Sequence, residues 1–182
     1  MPGMITHSSA APSRPTARSV PAERLLAEIQ ALDVTHVLNV PDTHQKTLLA
    51  LLAKQAQPKL ITTCTEDEAL AMHAGLYIGG QRPMISIQNT GLCACMNAMR
   101  GILLEGRVPA LLLIGLLHRE PDLPTRQSRV LTVRLTEPTL EAWNIPYYLM
   151  ESEDDLHFLR EAYQRSYDER GPVVVLLGAK TA

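Results

Sequence analysis

Three consecutive acids, Glu66, Asp67 and Glu68, stand in the stretch TCTEDEALAMHAG, residues 63–75, which then turns small and apolar through Ala69, Ala71, Ala74 and Gly75. Carboxyl groups at the mouth of a helix can donate and accept protons for a reaction, or simply sit where the helix dipole favours negative charge. Residues two apart on a helix point about 200° apart, so Glu66 and Glu68 cannot both face one site. Only one of them can work inward. Asp67 and Glu68 are read as solvated first-turn acids, and the small residues that follow let the helix approach a neighbouring backbone closely.

Other familiar chemistries find no motif. Neither GxGxxG nor GxxxxGK[ST] occurs between a strand and a helix, so the chain carries no self-contained phosphate loop of those kinds, and no GxSxG elbow occurs. The six histidines, including His36, His44, His73 and His118, show no HExxH or paired ligand spacing, so no metal site is expected. Cys64, Cys93 and Cys95 are odd in number and form no CxxC. They read as free, buried thiols.

The elements that must position the acids follow from periodicity. PAERLLAEIQAL has helical spacing with proline in the first turn, and VTHVLNV is a β-branched run stopped by Pro41. DTHQKTLLALLAKQAQ, opening on the cap formers Asp42 and Thr43, reads as a helix leading to the strand KLITTC. Next come the helix EDEALAMHAGLYIGG, the strand PMISIQ, the helix GLCACMNAMRGILLEG and the apolar strand PALLLIG. Residues 116–139 hold three prolines and mixed charge, which predicts a long loop. A helix through LEAW, a strand PYYLM, a charged helix over 152–170 and a last strand PVVVLLG complete the chain. This alternation predicts a single three-layer α/β domain over residues 21–182: about six mostly parallel strands with helices on both faces. Residues 1–20, without an acid and rich in Ser, Ala, Pro and Thr, are expected to be a flexible tail.

Ligands of open parallel sheets bind beyond the carboxyl ends of the strands. Three polar clusters fall there, namely NVPDTH, TCTEDE and QNTG, each after a predicted strand. At 182 residues, 46% apolar and a net charge of −2, the chain has material for one core and no basic patch that would suit nucleic acid or a membrane surface. No apolar run nears the roughly 20 residues that cross a bilayer, and no secretory signal is evident, so a cytoplasmic location is expected.

NVPDT at 39–43, Glu66 with Ala69 and Gly75 in ExxAxxxxxG, QNTGL at 88–92 and LLLIG at 111–115 occur in an order that resembles the pyrimidine-binding domain of thiamine diphosphate enzymes. The resemblance is greatest to the alpha subunit of sulfopyruvate decarboxylase and the matching half of phosphonopyruvate decarboxylase, and it runs from about Ala22 to Gly178. It implies that Glu66 is the catalytic, cofactor-activating acid. A carboxyl bonded to a pyrimidine ring nitrogen favours the imino tautomer, which then takes the thiazolium proton. It also implies that Gln88, Asn89 and Thr90 line the cofactor pocket, and that Asp42 and Thr43 lie near a small 2-oxo acid substrate.

Members of that family hold magnesium and the diphosphate through a GDG motif and a later asparagine, and this chain has no GDG. The resemblance therefore implies an alpha-type subunit of a hetero-oligomeric 2-oxo acid decarboxylase, a carbon–carbon lyase active only with a beta-type subunit that carries GDG and holds Mg2+. Departures from the family pattern include Asn39, Thr43, the triplet Thr65, Glu66 and Asp67, and Cys93 with Ala94. In the polar loop HREPDLPTRQ, Arg119 and Gln127 are the candidates for an anionic substrate tail, with surface solvation the alternative. An acetolactate synthase-like carboligase subunit, or a non-catalytic assembly or regulatory subunit of the same fold, remains an open alternative.

Overall fold

The computed structural model describes residues 19–182. Most of the expected tail falls on residues 1–18, outside the described residues. Its last two positions differ from expectation: β1 (Ser19–Val20) pairs in parallel with β8 (Lys180–Thr181), and Val20 is buried.

Six further strands form one sheet: β2 (His36–Asn39), β3 (Lys59–Thr62), β4 (Pro83–Gln88), β5 (Ala110–Gly115), β6 (Tyr147–Met150) and β7 (Pro172–Leu177). Their spatial order is β3-β2-β4-β5-β7-β6, and every neighbouring pair is parallel. In the central strands successive side chains serve opposite faces. Leu111, Leu113, Val173 and Val175 enter one apolar cluster, while Leu112, Ile114, Val174 and Leu176 enter the other. The first cluster is closed by α1 (Ala22–Ala31), α2 (Lys46–Leu52) and α7 (His157–Glu169). The second is closed by α3 (Glu66–Ile78), α4 (Asn89–Ala94) and α6 (Leu131–Ala142). The expected three-layer α/β architecture is present.

Three expected elements differ. The second helix begins at Lys46 rather than Asp42, because the Asp42 carboxylate accepts from the His44 N–H at 2.8 Å and the Gln45 side chain is drawn to the Ile87 carbonyl at 2.9 Å. The stretch 91–106 is not one helix: α4 is followed by a turn of helix α5 (Met96–Ala98) and a π-helical segment, Met99–Glu105. Residues 116–139 are not all loop, since α6 occupies Leu131–Ala142 with Pro138 inside it. Val133, Thr136, Glu137 and Leu140 make a buried stripe at helical spacing, and LEAW is its end rather than a separate helix. Among the described residues no helix is long and apolar enough to cross a membrane.

Helix α3 is anchored to the sheet by His73, which is buried and bonds the Pro109 carbonyl through Nε2 at 2.9 Å. Burial pushes the ring pKa down to about 4, from an ordinary 6.5. The unfolded chain therefore binds this proton more readily than the folded one, so the folded state is most favoured above pH 6.5 and loses stability as the pH falls toward 4. At one pK unit per 1.36 kcal/mol, this histidine should cost about 3 kcal/mol of stability across that window. Urea unfolding between pH 7 and 4 should show that loss, and His73→Leu should flatten the slope.

Candidate functional site

The sheet reverses its winding between β2 and β4, since the chain leaves β2 outward to β3 and leaves β4 in the opposite direction to β5. A crevice beyond the strand ends is expected at such a point. The loops after β3, β2 and β4 meet there, so the three polar clusters anticipated on one rim do lie side by side.

Asp42, after β2, is buried and accepts three hydrogen bonds: from the His44 N–H at 2.8 Å, from Gln45 Nε2 at 3.0 Å and from Gln88 Nε2 at 2.9 Å. Gln88 in turn accepts from the Thr90 hydroxyl at 2.7 Å. One chain of bonds thus ties Asp42, Gln88 and Thr90 across the crevice. Gln45, fully buried, fastens it beneath by accepting from Ser86 Oγ and donating to Ile87 O, both at 2.9 Å. The Asp42 carboxylate also lies over Gly115, where a Cβ would come within 2.3 Å of Oδ2. Its oxygens are engaged by protein donors, so this residue positions its neighbours. Asn89 is buried, and its Oδ1 accepts from the Leu117 N–H at 3.2 Å, tying α4 to the segment after β5. Thr43 is exposed and lines a cavity of about 500 Å³.

The three acids of α3 divide their roles. Glu68 completes the helix start: its N–H donates to the N-cap Thr65 hydroxyl at 3.4 Å, and its carboxylate accepts from the Cys64 N–H at 2.8 Å. The second bond resembles a capping box displaced by one residue. Asp67 is exposed, and hydrogen bonding from the Thr65 side chain holds its carboxyl below the usual range. Glu66 has no hydrogen-bond partner among the described residues and is half-buried. Its carboxyl lies against Gly91 of α4, where a Cβ would come within 2.1 Å of Oε1. Only a glycine leaves that space. The same carboxylate helps burial push the nearby Cys95 thiol up to about 12, burial being the larger cause.

Cys95 alone matches the expectation of a buried thiol. Cys64, just before α3, and Cys93, within α4, are exposed, and none of the three is paired. Gln127 is exposed and does not line the cavity, whereas Arg119 does. Among the described residues no group of three or more His, Cys, Asp or Glu is gathered to hold a metal ion. What motif reading missed is the part played by the glycines of QNTGL and LLLIG. Gly91 and Gly115 are the floors on which Glu66 and Asp42 rest, a role visible only once the loops are brought together.

The domain is doubly wound and parallel, and folds of that class take their ligands in the crevice beyond the strand ends at such a switch point. Comparison with known proteins narrows the class. No protein-family model matches the chain. It is 29% identical over 148 residues to sulfopyruvate decarboxylase subunit alpha of Methanococcus maripaludis, covering 80% of this chain and 87% of that one. To the phosphonopyruvate decarboxylase of Streptomyces viridochromogenes it is 27% identical over 150 residues, 82% of this chain and 38% of that protein. Among solved structures, the thiamine diphosphate-dependent 4-hydroxybenzoylformate decarboxylase of Rhodococcus jostii RHA1 superposes with a TM-score of 0.70 at 16% identity. That match covers 90% of this chain and 31% of the solved one, so the chain spans about a third of that enzyme's length. The resemblance read in the sequence is thereby borne out: the relatives are sulfopyruvate and phosphonopyruvate decarboxylase chains, and the fold is that of a thiamine diphosphate enzyme domain.

Proposed function

We propose that this chain is the alpha-type subunit of a heteromeric, thiamine diphosphate-dependent decarboxylase of small anionic 2-oxo acids, of the sulfopyruvate or phosphonopyruvate kind. The observation that carries the reading is the Glu66 carboxyl, held over Gly91 at the switch point without a hydrogen-bond partner among the described residues. A half-buried carboxyl with no partner suits a ring nitrogen brought by a ligand, and the relatives named as decarboxylases support the reaction type.

Bound thiamine diphosphate would supply an electron-accepting thiazolium for the loss of carbon dioxide from the 2-oxo acid. This chain's part is to place one proton-exchanging group and to shape the crevice around it. Glu66 would hold the proton at the pyrimidine ring nitrogen. Gln88 and Thr90 would line the cofactor side of the crevice, with Asn89 fixing the loop beneath them. Thr43 would meet the substrate directly, and Asp42 would act through the side chain of Gln88 and the backbone of His44. The diphosphate and Mg2+ are assigned to a beta-type partner bearing a GDG motif, since this sequence has none.

The test is reconstitution. Mixed with a polypeptide that carries GDG and the later asparagine, the chain should release carbon dioxide from sulfopyruvate or phosphonopyruvate in the presence of thiamine diphosphate and Mg2+. Each chain alone should be inactive. A partner fully active by itself would instead make this chain a non-catalytic subunit, and a two-carbonyl condensation product would make the complex a carboligase.

A further inference from the structure

Three of the chain's five tyrosines wall a single cleft of about 460 Å³. Tyr77 comes from the last turn of α3, and Tyr163 and Tyr167 stand one turn apart on α7. Arg82, which leads into β4, completes the wall with Gln81 and Gln164. Glu66 opens α3 and Tyr77 nearly closes it, about 17 Å further along the axis, so the cleft lies at the amino ends of the strands, opposite the Glu66 crevice. In a chain only 4% aromatic, with a core of Leu, Ile and Val, packing does not require such a gathering. The volume is that of a site for a small organic molecule.

The polar groups of the cleft bond to one another and end open. Arg82 Nε donates to the Tyr163 hydroxyl at 2.9 Å, and that hydroxyl donates to Tyr167 at 3.2 Å. The Tyr167 hydrogen then has no acceptor among the described residues. Burial pushes the Tyr167 pKa up, so the group stays a neutral donor. The bond to Tyr163 also fixes the guanidinium, whose carbon lies 5.4 Å from the Tyr163 ring centre. Asp33 stands 3.6 Å from Arg82 Nη1, but its side chain is 82% exposed, so water screens that pair. Arg82 Nη2 has no partner among the described residues. Gln164 donates to Asp168 at 2.9 Å, which occupies that acid and leaves the glutamine carbonyl oxygen open. Tyr77 meets Tyr167 edge to face at 6.1 Å, and both are half-buried, so each keeps part of its ring open to the cleft.

An aromatic wall suits a planar ring, side-chain amides suit the polar edge of a heterocycle, and a fixed guanidinium beside a hydroxyl donor suits a phosphate. We propose that this cleft binds a nucleoside monophosphate, with the base stacked on Tyr77, its polar edge on Gln81 and Gln164, and the phosphate held by Arg82 and the Tyr167 hydroxyl. The proposal is independent of the decarboxylase reading, because none of these residues belongs to the Glu66 crevice. The two places share helix α3.

Calorimetric titration of the full chain with AMP, GMP, CMP and UMP tests it, with the matching nucleosides and inorganic phosphate as controls. At least one nucleotide should bind, about tenfold or more tightly than its nucleoside and than phosphate. Arg82→Gln should weaken that nucleotide about tenfold and leave the nucleoside unchanged, because only the phosphate contact is lost. Tyr77→Leu should weaken nucleotide and nucleoside alike by about tenfold, the worth of one base on one aromatic ring. The Arg82 side chain is 45% exposed, so its replacement should fold. Should it unfold instead, Tyr167→Phe, which removes a phosphate donor and keeps the ring, must give the same split between nucleotide and nucleoside. Glu66→Gln should bind as the parent does. No binding by any of the four nucleotides, phosphate bound as tightly as the nucleotide, an unchanged nucleotide affinity in Arg82→Gln, or binding lost in Glu66→Gln would overturn the proposal.

Discussion

Glu66→Gln, assembled with its partner, should decarboxylate about 10²–10⁴-fold more slowly than the parent complex, the range a positioned proton-exchanging group supplies. The amide keeps the size of the side chain and its fit over Gly91, so substrate access and assembly should be unchanged. Thermal unfolding should also be unchanged, because the Glu66 carboxyl makes no hydrogen bond to the described residues that the substitution would remove. Loss of rate with an unaltered melting temperature separates chemistry from folding. Glu68→Gln is the control: that carboxylate accepts only from the Cys64 N–H at the helix start, and an amide oxygen can take its place. It should leave the rate within a few-fold of the parent. Retained turnover in Glu66→Ala would sink the proposed role.

The layered architecture was legible because its signals are local and repeated. Continuous apolar runs such as PALLLIG and PVVVLLG mark strands covered on both faces, and the spacing of Leu25, Leu26 and Ile29 marks a helix with one buried stripe. Illegibility set in where a side chain finds its partner far along the chain. Asp42 reads as a helix cap, yet its carboxylate is bound by Gln88, 46 residues later, and the helix starts four residues further on. Pro138 reads as a stop, but the buried stripe of Val133, Thr136, Glu137 and Leu140 outweighs one missing N–H. Of the candidate site, the polar clusters after the strands pointed to the rim, and the resemblance to thiamine diphosphate enzymes singled out Glu66. The cavity lined by His44, Arg119, Glu151 and Lys180 draws on four separate segments, and of these residues only Arg119 had been read as a substrate contact. No sequence motif could have joined them, because sheet order alone makes them neighbours.

Gly91→Ala should reproduce the loss of Glu66 without touching it. An added Cβ would lie 2.1 Å from Oε1, 2.3 Å from Cδ and 2.5 Å from Cγ, so the whole end of the side chain must move. The obstacle is the far part of a flexible, half-buried side chain rather than backbone, so α3 and α4 can stay in place while the carboxyl swings aside. A displacement of about 1 Å at a reacting group costs on the order of 10²-fold in rate, and this displacement is at least that large. The reconstituted complex should therefore lose at least about 10²-fold in kcat with its assembly intact. Stability supplies the second readout. In the presence of Glu66 the added methyl should destabilise the chain slightly, through the strain of moving the carboxyl. In a Glu66→Ala background the space is open and alanine suits a helix better than glycine, so the same change should be neutral or stabilising by up to about 1 kcal/mol. The double variant should be no slower than Glu66→Ala alone, because both substitutions remove one and the same function. Full activity in Gly91→Ala would mean that the Glu66 carboxyl does its work from some other position than the one over this glycine.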